Sequence, residues 1–267
     1  MLEFEWILIF LLLGTFVGFM AGLLGVGGGG IMVPALTSIF LFQGVPLDKV
    51  VHLALGTSMA SIVVTSFSSL RAHHANNVVI WKIVRGMSLG IVIGTFGATY
   101  VASNMNSFYL AIFFSVFMMY VSVNMLFSKK SPLKNNHLVQ SNLLTAGAGI
   151  GGISALVSIG GGSLTVTYLL WQSLDVKKAI GTSAAIGLPI SIAGTLGYLI
   201  NGWNSVSDIN YSYGYVYLPA VALISFASFF TAKFGANMAH HLPVAILKRI
   251  FALLLAFLSV KMLLAII

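Results

Sequence analysis

Gly22-Leu-Leu-Gly-Val-Gly-Gly-Gly-Gly-Ile31 recurs as Ala155-Leu-Val-Ser-Ile-Gly-Gly-Gly-Ser-Leu164, displaced by 133 residues with its glycines in register. A second pair follows in the same order. Ala54-Leu-Gly-Thr-Ser58 recurs as Ala179-Ile-Gly-Thr-Ser183, displaced by 125, so the first copy holds eight more residues between its two motifs. Two motifs matched in order define an internal repeat. The glycine runs decide the fold because they sit inside apolar sequence, where each Gly costs a helix about 1 kcal/mol relative to Ala. A run such as Gly27 to Gly30 or Gly160 to Ser163 therefore breaks a helix in two.

Around these breaks the chain is 58% hydrophobic and only 7% charged, too little polar surface to face water, so lipid must be its solvent. Apolar runs of transmembrane length fall at 6–26, 50–70, 80–101, 107–127, 141–159, 179–200, 216–234 and 244–266. Ile31 to Phe42 and Leu164 to Trp171 follow the glycine runs and are too short to cross comfortably. Each is a half-helix, a re-entrant limb or a tilted short span. The expected fold is an all-α polytopic membrane bundle of two inverted repeats, 1–127 and 141–267, joined by a basic cytoplasmic linker at 128–140. Five segments per half start the second half on the opposite side from the first.

Charge placement supports that alternation. Eleven of the thirteen Lys and Arg residues, from Arg71, Lys82 and Arg85 to Lys248 and Arg249, collect on one side, which is cytoplasmic by the positive-inside rule. Lys49 and Lys261 lie opposite, with Glu3, Glu5, Asp48 and Asp208. Both termini are expected outside a bacterial plasma (inner) membrane. Acids at Glu3 and Glu5 are wrong for a secretory leader, so the first span is expected to be retained. The formal charge of +8 is scattered over short connections rather than gathered on one face, which excludes a nucleic-acid partner.

Interrupted hydrophobic segments at matching positions of two inverted halves point to a transporter site. Glycines expose successive backbone N–H groups, and the helix that follows each run offers the positive end of its dipole, a combination that suits an anion. The expected substrate-binding residues are Gly27, Gly28, Gly29 and Gly30 with Gly160, Gly161, Gly162 and Ser163, and hydroxyls from Thr57, Ser58, Thr182 and Ser183 if the Gly-Thr-Ser turns face the same cavity. The competing reading is that glycines and small hydroxyl residues serve close helix packing. That reading is preferred for Gly86, Gly90, Gly94, Ala98 and Ala102, a small-residue stripe for packing or for a homodimer. Pro189 is the only one of the six prolines placed mid-span, as a kink.

His52 precedes Gly56-Thr57-Ser58 by one turn and titrates near neutral pH, which suggests a proton role. His73-His74, His240-His241 and His137 are placed in cytoplasmic connections, and no metal or other cofactor is expected. No Asp, Glu, Lys or Arg falls deep in a span, which speaks against a carboxylate-based proton pump, an acidic-ring cation channel and a fixed basic counter-ion. An intramembrane enzyme would need a nucleophile such as Ser163 beside a histidine, and every histidine lies near a boundary or in a connection, so none is expected. Cys is absent, which removes thiol chemistry.

The doubled breaks Gly25-Val-Gly-Gly-Gly-Gly30 and Ser158-Ile-Gly-Gly-Gly-Ser163, each followed by a Thr-Ser pair, make the chain resemble the sulfite exporter TauE/SafE family over nearly its whole length. The loop Arg71-Ala-His-His-Ala-Asn-Asn-Val78 is similar to that family's basic connection before the next span. The resemblance implies a membrane carrier of sulfite, sulfoacetate, thiosulfate or a related anion. It carries the breaks onto Gly27 to Gly29 and Gly160 to Gly162, and the Thr-Ser pairs onto Thr57-Ser58 and Thr182-Ser183. The expected function is export of a small sulfur-containing anion by alternating access, with a passive anion channel as the alternative.

Overall fold

The computed structural model describes residues 4–24, 27–127, 143–203, 205–206, 209–238 and 244–265. Ten helices follow the apolar runs: α1 (Phe4–Leu24), α2 (Gly29–Phe42), α3 (Leu47–Ala75), α4 (Trp81–Asn104), α5 (Ser107–Phe127), α6 (Leu143–Val157), α7 (Gly162–Trp171), α8 (Val176–Asn201), α9 (Leu218–Met238) and α10 (Val244–Leu264). Six described helices, α1, α3, α4, α5, α8 and α9, are long and apolar enough to cross a membrane. α6 is shorter than its apolar run because Ser158 turns left-handed (φ 47°) and stops it. The linker 128–140, with His137, and the His240-His241 pair lie outside the described residues.

Two expectations need correction, and one small element is new. His73 and His74 belong to the last turn of α3 rather than to a connection, His73 buried and His74 edge-on to the Trp81 ring. Pro34 also falls inside a helix, α2, so Pro189 of α8 is not alone in that. A two-stranded hairpin, β1 (Ser212–Tyr213) and β2 (Val216–Tyr217), stands before α9 and has no hydrophobic alternation long enough to announce it.

The halves use the same local devices. α2 and α7 each start after a left-handed glycine, Gly28 (φ 80°) and Gly161 (φ 74°). Each ends in a left-handed residue, Gly44 (φ 80°) and Ser173 (φ 62°), closed by Val45 N–H to Phe40 O (2.9 Å) and Leu174 N–H to Leu169 O (3.1 Å). The eight extra residues of the first half now resolve into two insertions of four. α2 has 14 residues against 10 in α7, and Pro46 to Thr57 is four residues longer than Asp175 to Thr182. Four residues are about one helical turn, so each insertion lengthens a helix without rotating its buried face.

α3 and α8 form the centre, with Val50 to Ser61 of α3 buried without interruption. Around them α1 packs on α9 and α4 on α6, while α3 packs on α9 and α8 on α4. Exchanging α1–α5 for α6–α10 maps each of these pairs onto the other. Residues such as Leu89, Ile93, Val116 and Phe230 are more than half exposed, an apolar belt suited to lipid and hostile to water.

The stripe on α4 is used inside this chain. A Cβ on Gly90 would overlap the Leu144 carbonyl of α6, and one on Gly94 the Ala148 carbonyl, whereas Gly97 and Gly149 face open space. Gly94→Ala is therefore expected to lower stability by on the order of 1–3 kcal/mol. Gly97→Ala and Gly149→Ala should be neutral or stabilise by up to about 1 kcal/mol, since Ala is the better helix former. Thermal unfolding of the three variants in one detergent checks the contrast.

Candidate functional site

Residues 133 positions apart in sequence meet at the two glycine breaks. A Cβ on Gly27 would stand 2.8 Å from the Gly160 Cα, and one on Gly160 would stand 3.2 Å from the Gly27 Cα, so only glycines allow the two backbones to lie back to back. A side chain on Gly29 would overlap the carbonyl oxygen of Ser158. Gly28 and Gly161 hold left-handed conformations that an L side chain resists, and each caps the helix that starts one residue later. The N-termini of α2 and α7 thus converge. Most N–H groups in a helix's first turn lack intrahelical partners, although Ile31 N–H reaches Gly28 O at 3.1 Å, and each helix has the positive end of its dipole here.

A cavity of about 10 Å³ lies at this crossing, room for on the order of one water molecule. Ala21, Gly27, Thr65, Ser66, Ser69, Gly160 and Ala184 line it. The Thr65 hydroxyl lies 3.1 Å from both Ser61 O and Ser228 Oγ. Ser69 Oγ is buried without a hydrogen-bond partner. Ser66 and Ser69 are three residues apart on α3 and so share a helix face. Ser163 Oγ, in the first turn of α7, is also buried and without a partner. Gly30 faces Met118 of α5 rather than the cavity. Gly162 takes its part through its carbonyl, which accepts from Ser183 Oγ at 3.2 Å.

Ser66 and Ser69 are what the sequence reading overlooks. The run Thr65-Ser-Phe-Ser-Ser69 places hydroxyls close together inside an apolar span, which is the signal that was available. The Gly-Thr-Ser motifs, in contrast, are neither turns nor helix starts. They lie inside α3 and α8 and are not among the residues lining the cavity. Thr57 Oγ1 accepts from the backbone N–H of Tyr217 at 3.0 Å, just before α9, and Thr182 Oγ1 accepts from that of Ile80 at 3.0 Å, just before α4. Gly56 and Gly181 let the same incoming segments approach, since a Cβ there would crowd Tyr215 O and Val78 O. Each motif thereby holds the other half's chain. Ser58 Oγ is buried without a partner.

His52 stands at the far end of α3, fourteen residues before Ser66 and thus roughly 21 Å away along the helix. Its ring is buried, with Nδ1 3.0 Å from Ser107 Oγ and Nε2 3.0 Å from Ala102 O. No cluster of three His, Asp or Glu residues suited to a metal occurs among the described residues.

Glycine-broken helices meeting at the middle of a polytopic bundle are the architecture of a membrane transporter. Comparison with known proteins agrees: residues 10–262 match the sulfite exporter TauE/SafE family, and the chain belongs to it. It is 36% identical over 260 residues to a probable membrane transporter protein of Haemophilus influenzae, covering 97% of this chain and 98% of the relative. It is 28% identical over 244 residues to a probable membrane transporter protein of Methanocaldococcus jannaschii, covering 88% of each. A probable membrane transporter protein of Bacillus subtilis is 27% identical over 248 residues. No solved structure matches the chain.

A buried hydroxyl that serves the fold costs stability when removed, whereas one kept for a ligand does not. Ser69→Ala deletes a buried group that has no partner, so its stability should stay within about 1 kcal/mol of the parent. Substrate affinity should fall severalfold. Thermal unfolding and concentration-dependent flux, measured on the same preparation, check both halves of this expectation.

Proposed function

We propose that this transporter exports a small sulfur-containing anion, such as sulfite, sulfoacetate or another organosulfonate, across the bacterial plasma (inner) membrane by alternating access. The meeting of the two breaks, Gly27 and Gly160, at one cavity just ahead of the α2 and α7 N-termini carries the reading. No ionisable side chain lines that cavity, so its electrostatics come from backbone N–H groups and helix dipoles, which favour an anion, with Ser66, Ser69, Ser163 and Thr165 as hydroxyl donors beside the breaks. A sulfur oxyanion offers several acceptor oxygens to such a ring of donors.

The small cavity marks this as a closed state, which a carrier passes through in alternating access. Space for about one water cannot pass a sulfonate, and backbone contact between Gly27 and Gly160 closes the middle of the bundle. Admission of substrate then requires the breaks to part. In the inverted-repeat scheme the halves 1–127 and 141–267 rock about the breaks, with both termini outside. A homodimer, if formed, would use a surface other than the α4 stripe, which α6 occupies.

The test is flux of labelled sulfite, sulfoacetate, sulfate and acetate into liposomes holding the purified protein. Saturable flux of a sulfur anion, accelerated by unlabelled substrate on the far side, is the expected result. Flux that rises linearly with concentration and shows no such acceleration would establish the channel. Gly28→Leu and Gly161→Leu, which force side chains into left-handed backbone, should abolish flux while leaving the chain inserted in the membrane. Normal flux in both would remove the breaks from the mechanism.

A further inference from the structure

One stripe of α3 runs past both glycine breaks. Leu55, Met59, Ile62, Ser66 and Ser69 follow one another at alternating four- and three-residue steps, which keeps their side chains on one helix face. A Cβ on Gly29 would stand 3.0 Å from Ile62 Cδ1, and one on Gly160 would stand 2.9 Å from Ile62 Cγ2, so this one side chain bears on the breaks of both halves. On either side of it along the stripe, Met59 Sδ would lie 2.9 Å from a Cβ on Gly194 of α8, and Ser66 Oγ 2.9 Å from one on Gly187.

The chemistry of the stripe changes at the breaks. Toward the start of α3, Leu55, Met59 and Ile62 are large, apolar and fully buried. Toward its end, Ser66 and Ser69 line the cavity beside Ala21 and Ala184, and Ser69 Oγ, on a residue 4% exposed, has no hydrogen-bond partner. The hydroxyls of the adjoining stripe are engaged, Ser61 donating to Thr57 O at 3.0 Å and Ser68 to Phe229 O at 2.6 Å. At the register of the Gly-Thr-Ser motifs, Met59 and Ile62 of the first half correspond to Ala184 and Gly187 of the second. The side chains that fill one side of the crossing therefore have no bulky counterpart on the other. Parting the serine side lets water replace polar contacts, whereas parting the Ile62 side exposes apolar surface. The serine side lies toward Arg71, the cytoplasmic end of α3 by the positive-inside rule.

We propose that the cavity is loaded from the cytoplasmic side, past Ser69 and Ser66, and that Ile62 is the gate between it and the outer half of the bundle. Release to the outside then requires Ile62 to leave at least one of the breaks it touches. A β-branched side chain has few rotamers in a helix, so it moves with α3 rather than swinging aside, and the gate opens when the halves shift. The assignment rests on reading the breaks as the transport site.

The absence of native Cys makes both claims measurable. Ser69→Cys is exposed, in sealed right-side-out and everted membrane vesicles, to a membrane-impermeant thiol reagent that carries a sulfonate. Modification severalfold faster from the cytoplasmic face is expected. Adding Ile62→Ala should raise the rate from the outer face severalfold. Equal rates from the two faces, a faster outer rate, or no modification from either face overturns the route, and an outer rate unmoved by Ile62→Ala overturns the gate. If Ile62→Ala does not fold, Ile62→Val takes its place; a smaller rise is expected, and an unmoved rate again overturns the gate. The trimethylammonium counterpart of the reagent separates these claims from the anion reading. Equal rates for the two reagents, both from the cytoplasmic face, would uphold the route and remove the preference for an anion.

Discussion

Backbone contact between Gly27 and Gly160 is the constraint on which the rest of the structure depends. Two interrupted helices can lie against each other at this distance only if neither bears a Cβ. Once they do, α2 and α7 both start within two residues of the crossing. The burial of long stretches of α3 and α8 follows, because those two helices wall the crossing on either side. Each also holds the incoming segment of the opposite half through a threonine hydroxyl, so the halves are tied together where they meet.

The same constraint explains how a site for charge forms without charged side chains. Helix ends provide fixed partial charges at no desolvation cost beyond that already borne by the broken backbone. A carboxylate or ammonium at that depth would have to be paired or neutralised. The hydroxyl groups at Ser66, Ser69 and Ser163 add donors that rotate freely. Two of these, Ser69 and Ser163, are buried without partners, which a fold optimised only for stability would avoid.

Much of this architecture was legible in the sequence, because lipid imposes length and apolarity on every crossing segment. All ten segments became helices, and the doubled glycine motif located both breaks. What was not legible depends on depth and direction. The Gly-Thr-Ser motifs show the residue types of a binding site, yet Thr57 and Thr182 point their hydroxyls at chain from the other half, which only the packing of α3 against α9 and of α8 against α4 reveals. Ser66 and Ser69 lay unnoticed because their nearness to Gly160 arises from the crossing of α3 over the breaks rather than from spacing. The six-residue hairpin was too short for any period to show. His52 attracted notice through its register, but its partners Ala102 and Ser107 lie about fifty residues on in the chain.

The central claim is that converging helix ends at the two breaks bind an oxyanion. Equilibrium binding of labelled sulfite to the purified protein, with Gly27→Ala as the comparison, tests it most directly. The account predicts saturable binding to one site per chain, displaced by sulfoacetate but not by an uncharged compound of similar size, and lost when a Cβ is placed at Gly27. Absence of saturable binding, or equal binding by the Gly27→Ala protein, would contradict it.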